Sequence, residues 1–209
     1  MGRPPDPARR EEVLVKAVAY LAERGLSNLS LRKLASAMGT STQTISYQFG
    51  SKEGLIEAAL ARARATTLGV LEEIRAEQIR PSVADGIVRL WDWWLEDQEN
   101  LVSTRLSMEA MMTSDEDLSS ERRPELLSFW IDYFADWILV ERDGSRQDAI
   151  VQSTLLMAVL SGLVIDLQST GDRQRTQSSL HAYLAAIQAY ASSGEGQASP
   201  PCEVATSQE

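Results

Sequence analysis

Cysteine and histidine are almost missing from this chain: there is one of each, Cys202 and His181, in 209 residues. A single thiol excludes an intramolecular disulfide and any cysteine-based metal cluster. A lone imidazole with no second His or Cys beside it makes no metal site and leaves little for acid–base work. No catalytic residue, no metal and no cofactor is therefore expected. Strand-like alternation of any length is absent, and so is any internal repeat. The amino terminus, MGRPPDPARR, has no apolar core segment, so no secretory signal is expected. Asp6 stands where a myristoylation pattern would carry Ser or Thr. The expected location is the cytoplasm, with no membrane partner.

Positive charge is scarce too, and unevenly so. The net charge of −10 alone argues against a polyanionic partner. Through Arg64, however, ten basic residues face six acidic ones, a net +4, and the remainder carries −14 with no lysine. A positive head on an acidic body can meet DNA while the body repels wrong contacts.

What is present begins with Ser30 to Lys52, which reads SLRKLASAMG, TS, TQTISYQFGSK. Leu31, Leu34, Ala35 and Met38 recur at helical spacing; Ser30 can cap that helix, and Gly39 sits where a left-handed residue stops it. Ser41 can cap a second short helix with Ile45 and Phe49 as its apolar pair, leaving Thr42, Gln43, Thr44, Ser46, Tyr47 and Gln48 facing outward. All six can hydrogen-bond to base edges or phosphates, and none is negative. Two short helices about a glycine turn, the second polar and uncharged, form a helix-turn-helix whose second helix fits a DNA major groove. Thr42, Gln43 and Thr44 are the candidates for base edges, Gln43 as a bidentate partner of adenine. Ser30, Tyr47 and Lys52 are assigned to phosphates, with Arg32, Ser46 and Gln48 completing the DNA-facing set. The helix opened by Ser51 adds backbone N–H groups and a dipole for phosphate. Three ordinary core helices could show any one of these features; the combination favours DNA.

From about Val13 to Leu60 the chain resembles the N-terminal domain of TetR-family (tetracycline-repressor-like) transcriptional regulators. The resemblance is carried by AVAYLAERG (Ala17 to Gly25), SLRKLASAMGTS (Ser30 to Ser41) and ISYQFGSKEGLI (Ile45 to Ile56), about a quarter of the chain. It implies an all-helical fold, a dimer, operator DNA as partner, and release of DNA when a small molecule enters the C-terminal domain. It also implies that the last two long helices form a four-helix dimer bundle. Ser46 and Gln48 depart from the family's commoner Tyr and His or Tyr, with Tyr47 between them as the aromatic phosphate contact.

The expected fold class is all-α. Residues 1–6 read as a flexible arm; Arg3, with Arg9 and Arg10 beyond it, suits a minor groove or phosphate. Asp6 and Pro7 start a helix that Gly25 ends. The helix-turn-helix domain is expected over 7–60, a helical effector-binding and dimerisation domain over 61–191, and a disordered tail over 192–209. A long helix from Ser51 towards Arg80 spans head and body as a strut. Body helices are expected at about 82–98, 100–113, 123–141, 145–169 and 172–191.

Two faces of the body stand out. Leu155 to Leu167, LLMAVLSGLVIDL, is apolar nearly all round; a bilayer needs about 20 residues, so this run is expected to be buried on every side in protein. Ala158, Ser161 and Gly162 permit close helix approach. With Leu155 and Ile165, and with Leu180, Tyr183, Leu184 and Ile187 of the final helix, they are the expected dimer interface. Two-fold symmetry then calls for a roughly palindromic DNA site. The second face is aromatic: Trp91 and Trp94, Met108, Met111 and Met112, and Trp130, Phe134 and Trp137. These are the candidate lining of a pocket for a planar or bulky hydrophobic effector, with plain core packing as the alternative for each. Glu109, Asp132 and Asp136 are candidates to orient a polar or cationic group on that effector, or else lie on solvated, ion-paired faces.

The chain thus reads as a homodimeric, ligand-responsive repressor whose partners are double-stranded operator DNA, a second copy of itself and an unidentified small molecule. A DNA-binding dimer controlled by a protein partner, and a small all-helical enzyme using paired carboxylates, are the competing readings.

Overall fold

The computed structural model describes residues 6–26, 29–77, 81–112 and 122–192, and within them every regular element is a helix. Helix α1 (Pro7–Arg24) starts on an Asp6 carboxylate that accepts from the Ala8 N–H at 3.0 Å, with Pro7 in the first turn where an N–H is not needed. Helices α2 (Leu31–Ala37), α3 (Thr42–Phe49) and α4 (Lys52–Arg75) each begin on a serine cap. Ser30, Ser41 and Ser51 accept from the N–H groups of Lys33, Thr44 and Gly54 at 3.4, 3.0 and 3.1 Å. Gly39, at φ +63°, closes α2 in the left-handed conformation. Thr40 N–H reaches back to the Ala35 carbonyl (2.9 Å) and Gly39 N–H to that of Ser36 (3.3 Å), the two bonds that seal such an end.

At eight residues α3 is too short to persist by itself, so its neighbours hold it. Val13, Leu14, Ala17 and Leu21 of α1, Leu34 and Ala35 of α2, Ile45 of α3, and Leu55, Ile56, Ala59 and Leu60 of α4 form one buried cluster. The first turn of α4 runs so close to the end of α3 that a Cβ on Gly54 would collide with the Phe49 carbonyl oxygen.

The body comprises α5 (Val83–Glu96), α6 (Gln98–Met112), α7 (Arg122–Glu141), α8 (Arg146–Thr170) and α9 (Arg173–Ser192). Ser82 and Asp85 cap each other's backbone at the start of α5, and extended backbone at Asp97 separates α5 from α6 slightly ahead of the expected break. Their cluster joins Leu71 of α4, Ile87 and Trp91 of α5, Phe134 and Trp137 of α7, Leu156, Leu160 and Val164 of α8, and Leu180 and Leu184 of α9. Gly86 is needed in α5 because the Trp137 ring occupies the place of a Cβ. Two residues of α6, Leu106 and Ala110, belong instead to the cluster of the head.

Helix α8 corrects one expectation. Judged as a whole rather than by its 13-residue apolar run, it has 25 residues and is long and apolar enough, by length and composition alone, to cross a bilayer. Its inner stripe, Leu156, Leu160, Val164 and Leu167, nevertheless packs into the body cluster, and its Ser153 hydroxyl donates to the Ile131 carbonyl of α7 at 2.7 Å.

Candidate nucleic-acid interface and body cavity

On α3, Thr42, Gln43, Ser46 and Tyr47 are exposed together, Tyr47 to 52%, while Ile45 is fully buried on the other side. Thr44 is half-buried and its hydroxyl shares a hydrogen bond with the Ser41 hydroxyl (2.9 Å), so it braces the cap as well as edging the surface. Gln48 departs from the expected outward set: it is only 9% exposed, and its Oε1 is buried without a hydrogen-bond partner. The cause is helix geometry. Residue 48 lies three beyond Ile45 and beside Phe49, on the packed face. Ser30 and Lys52 are half-buried at helix starts and Arg32 is exposed. Ser30 accepts from Lys33 N–H, which leaves its hydroxyl proton available to a phosphate.

Arg9 and Arg10 stand on α1 rather than in an arm, while Arg3 lies outside the described residues. Arg9 and Lys16 pair with Glu12 at 2.5 and 2.8 Å; the lysine first, then the arginine, hold that carboxyl below its usual range. The Arg10 guanidinium sits 4.9 Å over the Phe49 ring and ties α1 to the end of α3.

Two helices connect this surface to the body. Helix α4 is joined to α1 by the Glu11–Arg62 ion pair. Lower down, Arg75 lies 5.3 Å over both the Tyr133 and Trp137 rings, and the Tyr133 hydroxyl donates to Glu72 at 2.9 Å. Burial, reinforced by the Glu72 carboxylate, pushes the Tyr133 phenol up to about 12 against the pull of Arg75. Helix α6 is the second link. Its Glu109 Oε1 accepts from Leu26 N–H at 2.7 Å, directly after the Gly25 turn (φ +79°) that ends α1.

Between α4 and the body helices lies a cavity of about 50 Å³. Of the residues expected to line a pocket, Trp94, Met108, Trp130 and Phe134 do so. Trp91 and Trp137 do not; both are buried in the body core, Trp137 against Gly86. The side chains of Met111 and Met112 lie outside the described residues. Sequence reasoning missed Arg64 and Thr67, three apart on one face of α4, and Thr104 and Ser107 of α6. Ser161, expected at a dimer interface, also lines this cavity. None of the three candidate carboxylates lines it. Asp132 and Asp136 pair with Arg146 on the surface, and Glu109 engages the head.

The dimer candidates divide between two environments. Leu155 (55% exposed), Ala158, Gly162 and Ile165 (45%) form an open apolar stripe on α8 that Val151 extends. Leu180 and Leu184 are buried in their own body's core, which corrects their expected place at the interface; Tyr183 and Ile187 are half-buried. The open side of α9 presents His181 and the small residues Ala182, Ala185, Ala186 and Ala189.

Comparison with known proteins fits this geometry. The family model for bacterial regulatory proteins of the tetR family matches residues 13–59, the head. The HTH-type transcriptional repressor AcnR of Corynebacterium diphtheriae is 29% identical over 177 residues, spanning 78% of this chain and 83% of that protein. A putative TetR-family transcriptional regulator from Rhodococcus sp. has the same fold, with 21% identity, a TM-score of 0.68, and 87% of this chain and 97% of that chain covered. So does the multidrug binding protein EbrR complexed with imidazole, at 20% identity and a TM-score of 0.62 over 87% of this chain and 93% of that one.

Proposed function

We propose that this chain, which belongs to the tetR family of bacterial regulatory proteins, is a cytoplasmic homodimeric repressor that binds a palindromic operator and releases it when a small amphipathic molecule enters the body. It is a transcriptional regulator, not an enzyme. The observation that carries the operator reading is the α3 surface: Thr42, Gln43, Ser46 and Tyr47 exposed on a helix whose reverse side is buried. Gln43 suits the edge of an adenine, and Tyr47, Arg32 and Lys52 suit phosphates on either side. Residues 7–60 form the DNA-binding unit and 61–191 the effector-binding and dimerisation unit.

The dimer reading is supported by the open stripe of α8 and the alanines of α9. An apolar face of this length is more stable covered, and the small residues permit close approach of a second copy. Two-fold pairing places two copies of α3 on successive major grooves. Ligand control is supported by the way α4 and α6 each touch both the cavity and the head. A ligand that prefers a state with the two heads misplaced draws the population towards it, and affinity without that preference changes nothing.

Selection of bound genomic fragments with the full chain tests the operator reading, with a palindromic consensus as the expected result. On such a fragment, a folded Gln43→Ala/Tyr47→Ala double variant is expected to lose about tenfold or more in affinity. Unchanged affinity overturns the assignment of α3. The cavity's small volume, about 50 Å³, favours one alternative: a dimer that takes its signal from a protein partner. A thermal-shift screen of small molecules separates the two, because only the ligand-controlled protein gains melting temperature.

A further inference from the structure

We propose that the cavity beside α4 takes an amphipathic anion, a carboxylate on an apolar body, with Arg64 as the residue that meets the charge. This rests on the reading of the body as an effector-binding unit and adds the chemical class of the effector. Among the described residues that line it, Arg64 is the single ionisable side chain. Its guanidinium lies 4.7 Å over the Phe129 ring, and the residue is half-buried. On the same helix Arg62 pairs with Glu11 and Arg75 with Glu72, whereas Arg64 is held over the Phe129 ring. A guanidinium held against an aromatic face in a partly dry site gains more from a compact anion than an exposed one does.

A second group points the same way. The Trp94 Nε1 is buried with no hydrogen-bond partner, and Trp94 lines the same cavity. Indole and guanidinium N–H groups only donate. The remaining polar lining is hydroxyl, from Thr67, Thr104, Ser107 and Ser161, which serves as donor or acceptor. Among the described residues, the cavity therefore offers donors that need acceptors and no carboxylate that needs a cation. An ammonium ligand would bring donors to donors and a like charge to Arg64, at a cost. The walls opposite, including Trp130, Phe134 and Leu160, suit an apolar body. A cavity of about 50 Å³ admits the carboxylate but not a ring beside it, so entry requires Met108 and Met157, adaptable side chains on its wall, to turn aside. Arg64 lies four residues beyond Leu60 of the head cluster, so a ligand that draws on it acts on the strut itself.

Calorimetric titration of the full chain with matched trios tests the charge assignment. Each trio carries a carboxylate, its primary amide and the corresponding methylamine on a phenyl, naphthyl or decyl body. At least one carboxylate is expected to bind about tenfold or more tightly than its amide, with the amine weaker still. In Arg64→Gln that preference should fall to about twofold or less while amide affinity persists, which also shows that the variant is folded. Arg64→Lys should restore part of it. The inference is overturned if an amine matches or exceeds its carboxylate, if Arg64→Gln keeps the preference, or if no carboxylate binds. DNA affinity measured on the same samples keeps the two readings apart. An amine that binds and frees DNA removes the charge assignment and leaves ligand control standing. A preferred carboxylate that leaves DNA affinity unchanged upholds the site and removes its regulatory role.

Discussion

From Leu55 to Leu60, α4 meets the head through fully buried apolar side chains; from Arg64 to Arg75 it meets the body through guanidinium–ring contacts, a tyrosine hydrogen bond and the edge of a cavity, with Leu71 and Ile74 as its buried apolar anchors. The upper half has no spare volume: Gly54 abuts the Phe49 carbonyl and Leu55 is wholly enclosed. The lower half has more latitude at its guanidinium–ring contacts, because a ring face tolerates small displacement of a cation more readily than interlocked side chains tolerate displacement of each other. Under the proposed ligand control, a rigid head on an adjustable foot would turn motion at the cavity into rotation of α3 as a body, not distortion within it.

Four substitutions probe that contrast. Ile45→Ala, in the tightest part of the head, should cost about 2–5 kcal/mol in denaturant unfolding and abolish DNA binding at ordinary temperature. A loss below 1 kcal/mol, about the size of a surface change, would show that the head relaxes as easily as the foot. Gly54→Ala should cost about 1–3 kcal/mol, since backbone rather than a side-chain tip must yield. The matching change at Gly69, whose added Cβ meets nothing, should be neutral or stabilising. Glu109→Ala leaves Leu26 N–H without its carboxylate acceptor and should cost about 1–3 kcal/mol. It should also weaken the coupling between effector and operator, read as a smaller shift in DNA affinity on ligand addition.

The smallest effect concerns pH. Tyr133 titrates near 12 in the folded protein against about 10 when unfolded. The folded state therefore holds this proton more tightly, and the stability it contributes is complete below about pH 10 and lost as pH rises towards 12. Tyr133→Phe should flatten that part of the alkaline melting curve. An unchanged slope would mean that the Tyr133 phenol is not buried against α4 in solution.

The helix-turn-helix was legible because its determinants are local: serine caps, a left-handed glycine and a spacing of four between Ile45 and Phe49. Gln48 is the exception: Ile45 and Phe49 mark the apolar side, and helix geometry puts the i+3 position between them on that side even when a polar residue fills it. The body was harder. An apolar run that continues round α8 does not say which side meets its own protein, so the sequence alone does not separate Leu180 and Leu184, which share the body cluster with that helix, from residues that meet a partner. Arg64 and Thr67 were invisible as pocket residues because nothing in their spacing separates a charged residue on a strut from one in solvent. Whether Trp91 and Trp94, three apart, both reach a cavity depends on tertiary contacts that periodicity does not encode.

Leu106 and Ala110 of α6 complete the buried centre of a head that ends in sequence at about residue 60. A fragment cut there would bare an oily notch where those two side chains had sat and would lose the acceptor that holds the turn after α1. Moving this DNA specificity onto another regulator therefore demands a graft in two pieces, the first sixty residues together with the inward side of α6, and melting of the intact chain should proceed as a single cooperative transition.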